Sequence, residues 1–255
     1  MPPSPTLPRP RVRLYVEQAL GEGQPVALNE AAARYLFSVM RLAPGAMVAL
    51  FDGKSGEWAA EITEAGKRGG TALCRAQTAP QHTPPDLWLF FAPIKKARTD
   101  FIVEKATELG AARICPVQTD FTNAERIRRD RLQAHAVEAA EQCGGTFVPP
   151  VDDLSPLPAV LGDWPAGRLL YWGDEALATG GARPAPPEPG PAAILIGPEG
   201  GFSPTERARL AALPFIRPMA LGPRVLRADT AAVAAITLWQ AAVGDWVGDW
   251  TGVRP

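Results

Sequence analysis

The sequence predicts an α/β protein: a mostly parallel sheet with helices on both faces, preceded by a small β-rich unit. Three observations lead there. From Leu87 onward, short apolar runs alternate with helical stretches, the pattern of strands joined by crossover helices. Two of those runs, Ala192–Ile196 and Ile216–Leu221, end in glycine loops, and each loop leads into a helix start. Ahead of Leu87 the chain reads as short strands, and the proline-rich Ala79–Pro85 (APQHTPP) is the linker between the two regimes.

Residues 1–80 form the first expected domain. Arg11–Val16 alternates basic and apolar side chains, fitting a strand with one polar face. Asn29 caps a helix that reaches Met40 and stops before Pro44-Gly45. Ala46–Phe51 and Glu57–Thr63 make a hairpin around Asp52-Gly53, and Thr71–Gln77 is a further strand after Gly69-Gly70. Residues 84–255 form the second domain. Leu87–Ala92 is a strand, Thr99–Leu109 a helix ending at Gly110, and Arg113–Val117 a strand. A long helix runs from about Asn123 to Cys143, with Leu132, Ala136, Ala139, Ala140 and Cys143 on one face. Leu169–Trp172 is a further strand. Gly180–Pro191, with five prolines, is an irregular exposed excursion. The final helix, Thr230–Val243, is almost wholly apolar and is expected in a core or a dimer interface.

Composition narrows the class. The 255 residues are 46% hydrophobic and 21% charged, as in soluble globular proteins, and can bury a substantial core. No apolar run approaches the roughly 18 residues of a membrane span. The opening MPPSPTLPRP lacks the apolar centre of a signal peptide, so a cytoplasmic protein is expected. Cys74, Cys115 and Cys143 are far apart, without zinc or redox spacing; they are expected to be small core residues, and no metal is expected. The net charge of −1 hides a sorting by segment: residues 138–199 carry net −7, residues 95–131 net +3 and residues 200–227 net +4. A phosphate-rich partner would meet the latter two.

The glycine loops carry the functional signal. Gly197-Pro198-Glu199-Gly200-Gly201 leaves a Cβ-poor backbone that a ligand can approach closely. Ser203-Pro204-Thr205-Glu206 then reads as a capping box with proline at the first helical position. The second loop, Gly222-Pro223-Arg224-Val225-Leu226-Arg227, precedes a helix capped by Asp229 or Thr230. Two such loops at the carboxyl ends of neighbouring strands form a crevice, where open α/β sheets bind ligands. Neither is GxGxxG nor a P-loop, so dinucleotide or triphosphate binding is not indicated. His82 and His135 sit in the linker and mid-helix and offer no base. The carboxylates that remain are Glu199, alternatively a loop hydrogen-bond acceptor, and Asp229, alternatively a helix cap.

IGPEGGFSPTE followed by LGPRVLRADTA closely resembles the paired motifs of the RsmE-type ribosomal RNA uracil-N3 methyltransferases of the SPOUT superfamily. The resemblance continues through Lys95–Gly110 (KKARTDFIVEKATELG), Glu138–Gly144 (EAAEQCG), Val39–Gly45 (VMRLAPG) and Leu50–Gly53 (LFDG). It implies a SPOUT-type, trefoil-knotted α/β domain behind a PUA-like β-barrel that helps to grip RNA. It further implies a homodimer that uses S-adenosyl-L-methionine to methylate N3 of a uridine in 16S ribosomal RNA, free or within the small ribosomal subunit. By the same resemblance, the backbone around Ile196, Gly197, Gly200, Leu221, Gly222 and Leu226 cradles the cofactor. Arg227 faces the substrate, where it stabilises charge on a uracil carbonyl or, alternatively, contacts a phosphate or an acidic side chain. Asp229 is a catalytic candidate beside it. Arg11, Arg13, Lys95 and Arg98 are the expected RNA contacts. The chain departs from the family at Tyr35 and Phe121, where histidine and arginine are common, at Gly145 in place of an arginine, and at Ala228-Asp229 within LRTETA. Those departures bear on RNA contacts more than on the cofactor loops. The rival readings are a SPOUT enzyme acting on another RNA or on a ribose hydroxyl, and a non-catalytic RNA-binding ribosome assembly factor.

Overall fold

A computed structural model describes residues 10, 12–123, 126–178 and 185–247. The chain divides into two compact units: Met1–Thr83 with Ala140–Val148, and Pro84–Ala139 with Pro149–Pro255. The sequence assigned Ala140–Val148 to the second domain; in the structure it belongs with the first. The physical reason is Arg13. Its Nη1 donates to the carbonyls of Ala140 and Glu141, both at 2.8 Å, and its Nη2 to that of Gly145 at 2.9 Å. Ala140 and Glu141 lie in the last turn of a helix ending at Cys143, whose final carbonyls lack backbone donors within it, and Gly145 lies just beyond.

The first unit is built on a five-stranded sheet in the order β1-β3-β4-β5-β2. Its strands are β1 (Arg13–Tyr15), β2 (Pro25–Leu28), β3 (Met47–Phe51), β4 (Glu57–Gly66) and β5 (Gly69–Ala79). β1 lies parallel to β3, and the remaining pairs are antiparallel. Register shifts along β4 and β5 bend the pair, as bulges do, around a core that includes Val26, Leu36, Val48, Leu50 and Ile62. β2, too short for the sequence to announce, is a sheet edge that opens on Pro25, where a missing N–H costs nothing. The helix expected from Asn29 to Met40 is instead a four-residue α1 (Glu30–Ala33), capped by Asn29, followed by a π-helical turn at Arg34–Val39. Leu36 is fully buried on that turn, while Tyr35 and Val39 face outward.

The second unit is a six-stranded, all-parallel sheet in the order β11-β9-β10-β6-β7-β8. Its elements are β6 (Leu87–Phe91), α2 (Lys96–Glu108), β7 (Arg113–Gln118), α3 (Arg129–Cys143), β8 (Ser155–Pro156), α4 (Leu157–Gly162), β9 (Leu169–Gly173), β10 (Ala192–Ile196), α5 (Pro204–Ala212), β11 (Ile216–Met219) and α6 (Ala228–Val243). β10 is buried at every position because helices cover both of its faces, which is why it reads as an unbroken apolar run. It takes its place between β6 and β9, both earlier in the chain, so the strand order reverses there.

Several boundaries differ from the sequence reading. α2 begins at Lys96, three residues before Thr99, with Lys95 at its cap position. The Thr99 hydroxyl instead closes the preceding loop, donating to Ile94 O and accepting from Ile94 N, both at 3.0 Å. α3 begins at Arg129, with Asp130 in its first turn, leaving Arg126 and Arg128 outside the helix. Cys74 and Cys115 are buried but Cys143, expected in the core, is exposed at the end of α3. Burial raises the Cys115 thiol pKa well above its ordinary value. α6 packs against α2, and its fully buried Gln240 donates to Leu109 O at 2.8 Å, satisfying a carbonyl at the end of α2. At the opposite, amino-terminal edge of the sheet, Arg168 is 6% exposed and joins Asp86 (2.6 Å) to Ala192 O (2.7 Å). Among the described residues, no helix is long and apolar enough to cross a membrane.

Candidate functional site

The carboxyl ends of β9, β10 and β11 open onto a crevice of about 260 Å³ within the second unit. Three loops supply its wall. From the end of β10 come Ile196, Gly197, Pro198, Glu199 and Gly201; after β11 come Leu221, Gly222 and Arg224 to Arg227; from the end of β9 come Gly173, Asp174 and Glu175. Ala228 and Ala231, on the first turn of α6, close it with small side chains.

Local chemistry holds each loop in place. At the first loop, the Ser203 hydroxyl accepts from Glu206 N at 3.2 Å, and the Glu206 carboxylate accepts from Ser203 N at 2.9 Å, completing the capping box. The same carboxylate accepts from Asp120 N at 2.9 Å, and the Ser203 hydroxyl donates to the Asp120 carboxylate, so the loop is anchored to the end of β7. Gly201 has φ +70°, and a Cβ there would stand 2.9 Å from the Glu175 carboxylate. Gly222 has φ +110°, a backbone conformation L side chains rarely adopt, with open space beside it. Arg207 pairs with Asp174 at 2.6 Å and with Glu175 at 2.8 Å, fixing the loop after β9.

Of the expected cofactor residues, Ile196, Gly197, Leu221, Gly222 and Leu226 line this crevice together, and Arg227 stands exposed on its wall. Gly200 does not. A Cβ at Gly200 would stand 3.4 Å from the Phe121 side chain. Asp229 also lies off the wall. It is the second residue of α6, not its cap; Arg227 takes the cap position without a side-chain bond. One Asp229 oxygen accepts from Thr230 N at 2.9 Å and the other from Arg98 at 2.7 Å.

The expected RNA contacts are dispersed. Arg98 is held in that ion pair. Arg13 is engaged within its own unit: beyond its three carbonyls, its Nε donates to Glu57 at 2.6 Å and its guanidinium lies 4.6 Å from the centre of the Phe51 ring. Lys95 is exposed and lines a separate crevice with Asn123 and Glu199. Arg11 lies outside the described residues. The sequence reading missed the third loop, Gly173-Asp174-Glu175, although an apolar run ending in glycine marks it as it marks the other two.

The crevice wall combines a glycine-lined backbone, apolar Leu221 and Leu226, three carboxylates and two arginines. Such a wall offers a ligand apolar contact, backbone polar groups and charges of both signs. Among the described residues, Glu199, Arg224 and Arg227 have no ion-pair partner, leaving these charges available to ligands.

Comparison with known proteins is in keeping with this geometry. Residues 81–240 match the model of an RNA methyltransferase domain, and residues 28–73 that of an RNA methyltransferase PUA domain. The chain is 27% identical over 228 residues to the ribosomal RNA small subunit methyltransferase E of Rickettsia conorii, covering 88% of this chain and 93% of the relative. The crystal structure of the methyltransferase of that name from Neisseria gonorrhoeae, bound to S-adenosyl methionine, superposes with a TM-score of 0.81 at 30% identity, covering 92% of this chain and 99% of that one. A putative methyltransferase from Legionella pneumophila, in complex with the same cofactor, gives 0.79 at 28% identity, covering 93% and 99%.

Proposed function

This chain belongs to the RNA methyltransferase family, and from that premise we propose that it transfers a methyl group from S-adenosyl-L-methionine to N3 of a uridine in 16S ribosomal RNA. The observation that carries the reading is the crevice of about 260 Å³, in which three loops bring five expected cofactor residues and Arg227 onto one wall. Its fit to the cofactor is chemical. Glycine-lined backbone and Leu221 and Leu226 suit the nucleoside portion, and the Glu199 carboxylate, unlike Asp174 and Glu175 with their Arg207 partner, is open to a positive centre. The trefoil-knotted path implied by the motifs is part of this reading.

When bound, S-adenosyl-L-methionine supplies an electrophilic methyl on a sulfonium centre. The chain's own residues hold the partners in line and manage the charge on the uracil ring. Positioning contributes about 7–11 kcal/mol to such reactions and a general base roughly 3–5 kcal/mol, so the loops carry most of the effect. Arg227 donates to the uracil carbonyl on which negative charge grows as N3 loses its proton. Glu199, on the wall and unpaired among the described residues, accepts that proton. Asp229 is a positioning residue, anchoring through Arg98 the helix turn that presents Arg227.

The reading extends to a homodimer acting in the cytoplasm on the small ribosomal subunit or its RNA. Phe101 on α2 and Leu238 on α6 support the dimer: the two helices pack together, yet these side chains remain 39% and 46% exposed. Mass spectrometry of nucleosides from 16S ribosomal RNA decides the function. A strain lacking the protein should lose N3-methyluridine, and the wild-type gene should restore it. An unchanged nucleoside profile overturns the assignment.

A further inference from the structure

Three crevices of the second unit share walls. Pro198 and Glu199 line both the cofactor crevice and a second one, also about 260 Å³, completed by Pro93, Ile94, Lys95 and Asn123. Pro93 and Ile94 in turn line a third, of about 370 Å³, which carries Lys96, Arg126, Arg128 and Arg131. A single track therefore leads from the methyl donor, across one loop, to a polar recess and then to a basic one.

We propose that this track is the path of the RNA strand: the target nucleoside occupies the second crevice, and the phosphates flanking it lie along the third. The inference rests on the proposed function and names the surface that this function requires. A base modified at its ring must leave its stack and enter a recess beside the reacting group. The second crevice meets that condition, sharing Pro198 and Glu199 with the cofactor crevice on whose wall Arg227 stands. Its polar groups suit a uracil edge: the Asn123 amide both donates and accepts, the Lys95 ammonium donates to a carbonyl oxygen, and the Glu199 carboxylate accepts from N3–H.

The third crevice has the opposite character. Four cations line it against one carboxylate, Asp100. Arg131 pairs with Asp100, and Arg128 pairs with Asp130 outside the crevice. Lys96 and Arg126 have no ion-pair partner among the described residues, and both are exposed. Cations on a solvated surface are common, but these line a concavity continuous with the recess that faces the cofactor. An anionic strand entering that recess would pass them.

The experiment uses the full-length protein and 16S ribosomal RNA isolated from a strain lacking it. Affinity is measured from about 50 to 200 mM salt, where released counterions report phosphate binding. Replacing Lys96→Ala and Arg126→Ala together should leave S-adenosyl-L-methionine affinity unchanged and reduce the slope of log affinity against log salt by roughly 1.4–1.8, about 0.7–0.9 for each phosphate no longer neutralised. The exchange Lys96→Arg with Arg126→Lys should keep the wild-type slope. Should the alanine pair lose cofactor affinity, Lys96→Gln with Arg126→Gln supplies the same readout. Asn123→Ala should lower kcat/KM at least tenfold with cofactor affinity and salt slope unchanged. A wild-type slope in the neutralised pair overturns the phosphate path, and wild-type kcat/KM in Asn123→Ala overturns the nucleoside recess. Wild-type protein that binds no S-adenosyl-L-methionine, or leaves this RNA unmethylated, overturns the proposed function itself and the track with it.

Discussion

Arg98 donates from Nη1 to Asp229 Oδ2 at 2.7 Å, joining the first turn of α2 to the second residue of α6. The two side chains are 33% and 15% exposed, so the pair is partly shielded from water. It ties together the segments that follow β6 and β11, and Arg227 sits two residues before Asp229. A carboxylate with both oxygens occupied, and off the crevice wall, is suited to holding backbone in place.

Asp229→Asn should therefore leave the single-turnover methylation rate within about tenfold of wild type and lower stability by about 1 kcal/mol. A double-mutant cycle with Arg98→Ala should give a coupling energy of about 0.5–2 kcal/mol by urea denaturation. A loss of a hundredfold or more in the chemical step of Asp229→Asn would restore it as the base.

Arg227→Ala should lower kcat by about 10²–10³ while the affinities for RNA and cofactor change little, because charge that appears only in the transition state is read in kcat. Lysine at this position should restore part of the rate, lacking the planar pair of donors. The measurement is single-turnover kinetics with both substrates saturating, and equal losses in kcat and RNA affinity would argue for a simple phosphate contact.

The glycines of the cofactor loops should not respond alike. Gly222→Val places a β-branched residue at φ +110°, so the loop must change shape and cofactor affinity should fall at least tenfold by calorimetry. Gly200→Ala places its Cβ 3.4 Å from Phe121, off the crevice wall, and should bind with near wild-type affinity. Equal losses in both would mean that the ligand lies further along the first loop than this crevice.

Arg13→Ala should destabilise the first unit by about 2–4 kcal/mol without altering the salt dependence of RNA binding. The substitution strips Glu57, 12% exposed at its side chain, of its ion-pair partner and leaves the carbonyls of Ala140, Glu141 and Gly145 without this donor. Denaturant unfolding measures the first effect and salt titration the second. A reduced salt slope would return Arg13 to the RNA contacts.

By itself, the sequence determined the elements of the second unit and the loops that matter most. Apolar runs such as Ala192–Ile196, glycines after them and the Ser203–Glu206 capping box are local signals, because backbone conformation and capping depend on residues a few positions apart. The N-terminal strands were legible where they alternate, and Asn29 was legible as a cap. The π-helical turn at Arg34–Val39 was not, since its winding is coupled to burying Leu36 in a core assembled from distant strands.

Only the tertiary structure decided what the charged residues do. Arg13, Arg98 and Asp229 look in sequence like free groups for RNA or catalysis. Their partners lie far along the chain, at Glu57 and Ala140–Gly145 for Arg13, and across two helices for the Arg98–Asp229 pair. The loop after β9 entered the crevice for the same reason: strand order, β11 beside β9 beside β10, is a matter of pairing between remote segments. A charge's role is set by the field and the donors around it, and those arrive by folding, whereas a glycine's freedom at φ +110° is carried by the residue itself.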